Sequence, residues 1–152
     1  MKRKLINFFR KAFPFLLTVG LWRLSTPVWN PAGILAIIPI FFCSFIKPVD
    51  FFNIFSMIMC LVIDYKFGTV CFWLAMYCLF YTINNFQNII DITHTQKDGL
   101  FTFICFFSIC ILIQIFSDFT WLNIIRGIWI VLWTTIIYIP TVISIKKVYK
   151  YD

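Results

Sequence analysis

From Gly99 to Ser117 the chain carries no charged side chain, and from Trp121 to Ile145 it carries only Arg126. Helices of water-soluble proteins keep a charged or polar face, so uncharged runs of this length point to helices surrounded by lipid. The composition agrees, at 62% hydrophobic and 12% charged with mean hydropathy +0.93, against about 45–50% and about 25% in soluble domains. A chain of 152 residues makes one domain, and domains this small bury too little surface to hide such an apolar excess from water. The expected fold is all-α: a single integral membrane domain over residues 1–152, built as a bundle of about six transmembrane helices.

The formal charge of +7 is placed mainly at the two ends of the chain, where Lys2, Arg3, Lys4, Arg10 and Lys11 open it and Lys146, Lys147 and Lys150 close it. That placement speaks for topology and against nucleic acid as a partner, because Lys and Arg flanking apolar runs stay in the cytoplasm and meet anionic head groups. The six cysteines, Cys43, Cys60, Cys71, Cys78, Cys105 and Cys110, all lie in apolar runs and read as small hydrophobes. No C-x-x-C pair occurs, and the one histidine, His94, stands in a polar stretch, so no metal or other cofactor is expected. The basic then apolar start lacks an A-x-A-like site after Leu16 and is expected to be an uncleaved first span.

Charges are costly in hydrocarbon, at about 2.5–3.5 kcal/mol each at a helix centre on the insertion scale, so uncharged runs outline the spans. They predict spans at Ala12–Thr26, Ala32–Ile46, Val49–Ile63, Phe67–Asn84, Gly99–Ser117 and Trp121–Ile145. Pro27 and Pro31 bracket a turn, Pro39 is expected to kink the second span, and the polar stretch Asn84–Asp98 is expected to be a cytoplasmic loop. An even number of spans keeps both basic ends on one side. The expected location is the bacterial inner membrane, multi-pass, with both termini in the cytoplasm. Lys47 and Lys97 then join the basic ends, leaving Arg23, Lys66 and Arg126 at the outer face.

Several side chains stand out within this frame. Gly68, Cys71, Ala75, Cys78 and Thr82 recur every three or four residues and share one helix face. Small residues mark the contact side of helices in lipid, either inside the bundle or against a partner protein, a second copy included. Gln114, on a face with Cys110 and Ser117, needs a hydrogen-bond partner and is expected to point inward. Asp64 closes the short third run, either as an intramembrane site carboxylate or as a turn residue solvated beside Lys66; Arg126 is a candidate partner for it. No nucleophile with a base, no phosphate loop and no paired carboxylates occur, so a non-enzymatic role is expected.

A basic start, short spans, Lys47-Pro48, the run Cys60-Leu-Val-Ile-Asp64 and Tyr138-Ile139-Pro140 before Lys146 and Lys147 together resemble the rod shape-determining protein MreD family, although Phe67-Gly68 follows Asp64 sooner than that family's Leu-Gly opening the fourth span. Lys47 stands where that family commonly has arginine, and Cys60 where it commonly has glycine. The resemblance implies a scaffold subunit of the cell-elongation machinery. Such a subunit binds the single-span periplasmic protein MreC and couples MreB filaments to peptidoglycan synthesis by RodA and its transpeptidase. It also singles out Pro48, Asp64, Gly68 and Pro140. The alternative is the substrate-binding membrane subunit of an energy-coupling vitamin transporter, with Asp64, Lys66, Asp118, Asn123 and Arg126 lining a polar pocket.

Overall fold

The computed structural model describes residues 2–24, 35–89, 99–117 and 119–149. Among these residues it is all-helical. The helices are α1 (Lys2–Arg23), α2 (Ile37–Phe41, widening into a π-helical stretch at Phe42–Ile46), α3 (Phe52–Phe67), α4 (Phe72–Ile89), α5 (Leu100–Ser117) and α6 (Trp121–Tyr149). Two of them, α5 and α6, are long and apolar enough to cross a membrane. The Pro27–Pro31 turn, His94, Lys97 and Asp118 lie outside the described residues.

Of the six expected spans, α5 and α6 are supported by helix length and apolarity among the described residues, and the reasons the others fall short of that length and apolarity lie in the sequence. The first half of α1 carries Lys2, Arg3, Lys4, Arg10 and Lys11. The described helix and π-helical stretch of the second run, Ile37–Ile46, rises only about 15 Å at 1.5 Å per residue. The α3 helix has 16 residues and includes Asn53 and Asp64, and α4 runs into Asn84, Asn85, Gln87 and Asn88. These last residues remain helical to Ile89, where the sequence predicts a loop, and residues 90–98 of that expected loop lie outside the described residues.

Helix α2 is short because proline bounds it in chemistry. Pro39 sits in its first turn, where a missing N–H costs no intrahelical bond, so the expected kink at Pro39 is replaced by a helix start. Lys47, the residue before Pro48, takes φ −135° and ψ 88°, the extended geometry that the proline ring imposes on its predecessor. The carbonyls left over at this end are met by Lys47 N–H to Phe42 O at 2.9 Å and Val49 N–H to Cys43 O at 3.1 Å. Leu35 to Ser44 are all buried. The shortest helix is therefore the centre of the molecule.

Around it the chain alternates direction. At one end, here the basic rim, Lys11 and Asp50 line a common groove, Gly99 lies against the Ile46 side chain, and the Lys146 ammonium sits 5.9 Å from the Phe42 ring centre. At the opposite rim Lys66 meets Trp22. An aromatic core joins the elements: Phe41 stacks on Phe106 at 5.5 Å, Phe103 on Tyr138 at 4.5 Å, Trp73 on Phe107 at 6.2 Å, and Phe15 meets Phe52 and Phe55 edge-on at 5.0 Å. Such ring pairs add about 0.5–1.5 kcal/mol each beyond their buried area. The α5–α6 pair closes on Gly127, which is buried against Ile111 and Ile115.

Candidate functional site

The turn from α3 to α4 is organised by one carboxylate. Gly68 ends α3 in the left-handed region at φ +68° with open space around its Cα, so glycine is needed there for backbone conformation rather than for room. The Asp64 carbonyl accepts the N–H groups of Gly68 and Thr69. Its side chain then reaches across the turn: Oδ1 accepts the Thr69 hydroxyl at 2.7 Å and the Trp73 N–H at 3.0 Å, and Oδ2 accepts the Leu74 N–H at 3.1 Å. Trp73 and Leu74 belong to the first turn of α4, whose amides have no partner within the helix. Asp64 thus caps α4 from the end of α3, with its negative charge at the positive end of the α4 dipole.

That geometry departs from the solvated-turn reading of Asp64 in the sequence. The residue is only 5% exposed, so it is not a solvated turn residue, and its oxygens are taken up by donors of its own turn. Arg126 lies half-buried on α6. Lys66 turns to α1 instead, donating from Nζ to the Trp22 carbonyl at 3.0 Å and lying 4.9 Å from the Trp22 ring centre. A cation on one of the last carbonyls of α1 complements the negative end of that helix.

Along α4 the two faces are sharply unlike. Trp73 and Tyr77 are buried and Phe80 is partly buried, packing on Phe107, Phe45 and Phe106. Gly68, Cys71, Ala75, Cys78 and Thr82 are all exposed. The small-residue face is therefore not used inside the described bundle, where the aromatic face does the packing. Thr82 returns its hydroxyl to the Cys78 carbonyl at 2.9 Å, so the face presents almost no free polar group. Cys71 precedes α4 with φ +53°, an uncommon conformation for a residue with a side chain.

A second polar group, missed in the sequence, sits deeper. Ser44 Oγ lies 3.0 Å from Ser56 Oγ, and the Tyr77 hydroxyl donates to Ser44 Oγ at 3.1 Å and lies 3.5 Å from Asn53 Oδ1. This links the π-helical stretch, α3 and α4 by hydroxyls that satisfy one another away from water. Its signal was present, as serine, asparagine and tyrosine inside apolar runs, but nothing in the spacing pairs residues 33 positions apart.

The remaining candidates are dispersed. Pro48 is exposed in the turn before α3; Pro140 is exposed within α6 and its carbonyl accepts the Ser144 hydroxyl at 2.8 Å. Gln114 is half-buried on α5, one turn from buried Cys110. Asp64, Gly68 and Cys71 come together at one rim, Ala75 and Cys78 continue along α4, and Pro48 and Pro140 stand in the half of the molecule nearer the basic rim. Among the described residues no three His, Cys, Asp or Glu side chains gather as metal ligands. A cavity of about 10 Å³ bounded by Ile37, Phe41, Cys60, Trp73 and Tyr77 has room for about one water. No family model, curated protein or solved structure matches the chain.

Proposed function

We propose that this chain is a non-enzymatic membrane scaffold of the bacterial cell-elongation complex, an MreD-like subunit that binds an MreC-like single-span protein through α4. In this reading the molecule lies in the inner membrane with its basic rim and both termini in the cytoplasm. Helices α1, α3 and α4 cross beside α5 and α6, and α2 is a half-length helix held inside them. The observation that carries the reading is the exposed face of Gly68, Cys71, Ala75, Cys78 and Thr82. Helices in lipid associate by close backbone approach, so a small-residue face that is not spent internally is suited to another helix. The link to cell elongation comes from the sequence resemblance, which centres on the same stretch from Lys47 to Thr82, and extends to MreB, RodA and its transpeptidase as indirect partners.

The vitamin-transporter alternative is less well supported, because two of the side chains it requires are committed elsewhere. Asp64 is engaged by three donors of the α3–α4 turn, and Lys66 by Trp22. Depletion of the protein in a rod-shaped host tests the proposal. The scaffold reading expects cells to round up while their vitamin requirement stays unchanged. Rods of normal shape that need an added vitamin would favour the transporter, and rods of normal shape without one would overturn the scaffold reading.

A further inference from the structure

The exposed surface of α3 has a defined height. Ile54, Met57, Ile58 and Leu61 form an exposed apolar strip between two aromatic side chains, Phe51 at 82% and Tyr65 at 93% exposure. Outside these stand Asp50 and Lys66. Tyrosine beside a charged side chain, as at Tyr65 and Lys66, marks where a membrane protein meets the head groups, and at the other end the Asp50 carboxylate next to Phe51 sets the limit because a charge is costly in hydrocarbon. Phe51 and Tyr65 are separated by about 21 Å of helix at 1.5 Å per residue.

Helix α1 repeats the same limits beside it. Its apolar stretch runs from Lys11 to Arg23, both exposed, or about 18 Å. The two helices are level at both ends: Lys11 and Phe8 share a groove with Asp50 and Phe51, and Lys66 donates to the Trp22 carbonyl. At mid-height Phe15 lies against Phe52 and Phe55. The charged rims are therefore those of a two-helix flank rather than of one irregular helix. By contrast, α5 offers 18 apolar or uncharged residues, about 27 Å.

We propose that the α1–α3 flank thins the bilayer it contacts, drawing the two head-group layers to about 20 Å apart against the usual ~30 Å hydrocarbon core. Sinking either rim into hydrocarbon is the alternative. Long basic side chains reach back to the interface by extending, but the Asp50 carboxylate is short and the Lys66 ammonium is held at Trp22. The bilayer, which deforms readily under mismatch, yields instead. This inference rests on the membrane reading of the chain.

The test places a trifluoromethyl-phenylalanine at position 51 or at position 65 of the full chain, both exposed enough to accept it. Each protein is reconstituted in phosphatidylcholine vesicles with 18-carbon chains. Fluorine relaxation by dissolved oxygen against an aqueous nickel chelate then reports depth. A core of normal thickness cannot leave both probes at its surfaces, because they lie about 21 Å apart along the helix. Thinning predicts nickel-accessible interface positions for both probes. A probe at either position relaxed by oxygen alone overturns the proposal, as does protein that fails to float with the vesicles; only the second outcome also contradicts the membrane reading.

Discussion

Asp64 shows how one side chain fixes the relation of two helices. Replacing it with alanine leaves the Thr69 hydroxyl and the Trp73 and Leu74 amides without their acceptor, and stranded buried donors cost about 1–3 kcal/mol. Asp64→Ala is expected to lower the stability of the folded chain in mild detergent by that amount, measured by denaturant titration, while Asp64→Asn, which keeps one acceptor oxygen, loses less. Equal losses would show that the charge itself rather than the hydrogen bonds holds the turn. The sequence marked Asp64 because a carboxylate at the end of an apolar run is unusual. It hid the partners, because capping normally acts within three residues whereas here the acceptor lies nine and ten positions before the amides it serves. Lys66 was hidden in the same way, its partner being a backbone carbonyl on α1.

At the scale of the helices, charge patterning located the apolar runs well and the helix ends less well. The fifth run, Gly99–Ser117, coincides with α5 at Leu100–Ser117 because its ends are set by glycine and by a polar stretch. The first and fourth runs differ from α1 and α4 because charge and amide side chains mark the edge of hydrocarbon, not the end of a helix. Both helices continue into polar sequence at the basic rim. The second run is described only from Leu35 onward, and there Leu35 to Ser44 are all buried, so its apolarity matches enclosure by protein rather than contact with lipid. Periodicity does not separate these cases, since a helix surrounded by lipid and one surrounded by side chains are both apolar all round. Helix pairing gives a direct prediction at Gly127. A Cβ there would stand 2.5 Å from the Ile115 Cδ1 and 3.0 Å from the Ile111 Cγ2, so Gly127→Val must displace these two side chains where α5 meets α6 and is expected to cost about 1–3 kcal/mol. Gly20→Ala, with nothing within 4 Å of the new atom, is the control and should be neutral or stabilising by up to ~1 kcal/mol. Thermal unfolding in one detergent compares the two, and equal midpoints would contradict the packing at Gly127.

The whole molecule has two unlike sides. Thinning a bilayer by about 8–10 Å at fractions of a kcal/mol per Å is of the same order as sinking one or two charges at about 2.5–3.5 kcal/mol each. Rims carrying Lys11, Asp50, Arg23 and Lys66 shift that balance towards the deformed bilayer. Beside this short flank, α4 presents a face of small side chains that the bundle leaves open. That openness was not legible in the sequence, where the same spacing served equally for internal packing, and it emerges only because Trp73, Tyr77 and Phe80 claim the inner side of the helix. The most direct test of a docking role for this face is co-purification of the single-span MreC homologue from membranes of a rod-shaped host by the wild-type and Ala75→Leu chains. Because Ala75 is exposed, the variant should keep the wild-type yield and unfolding midpoint while capturing about tenfold less partner, a loss of about 1.4 kcal/mol. Wild-type capture by a folded Ala75→Leu chain would contradict the account.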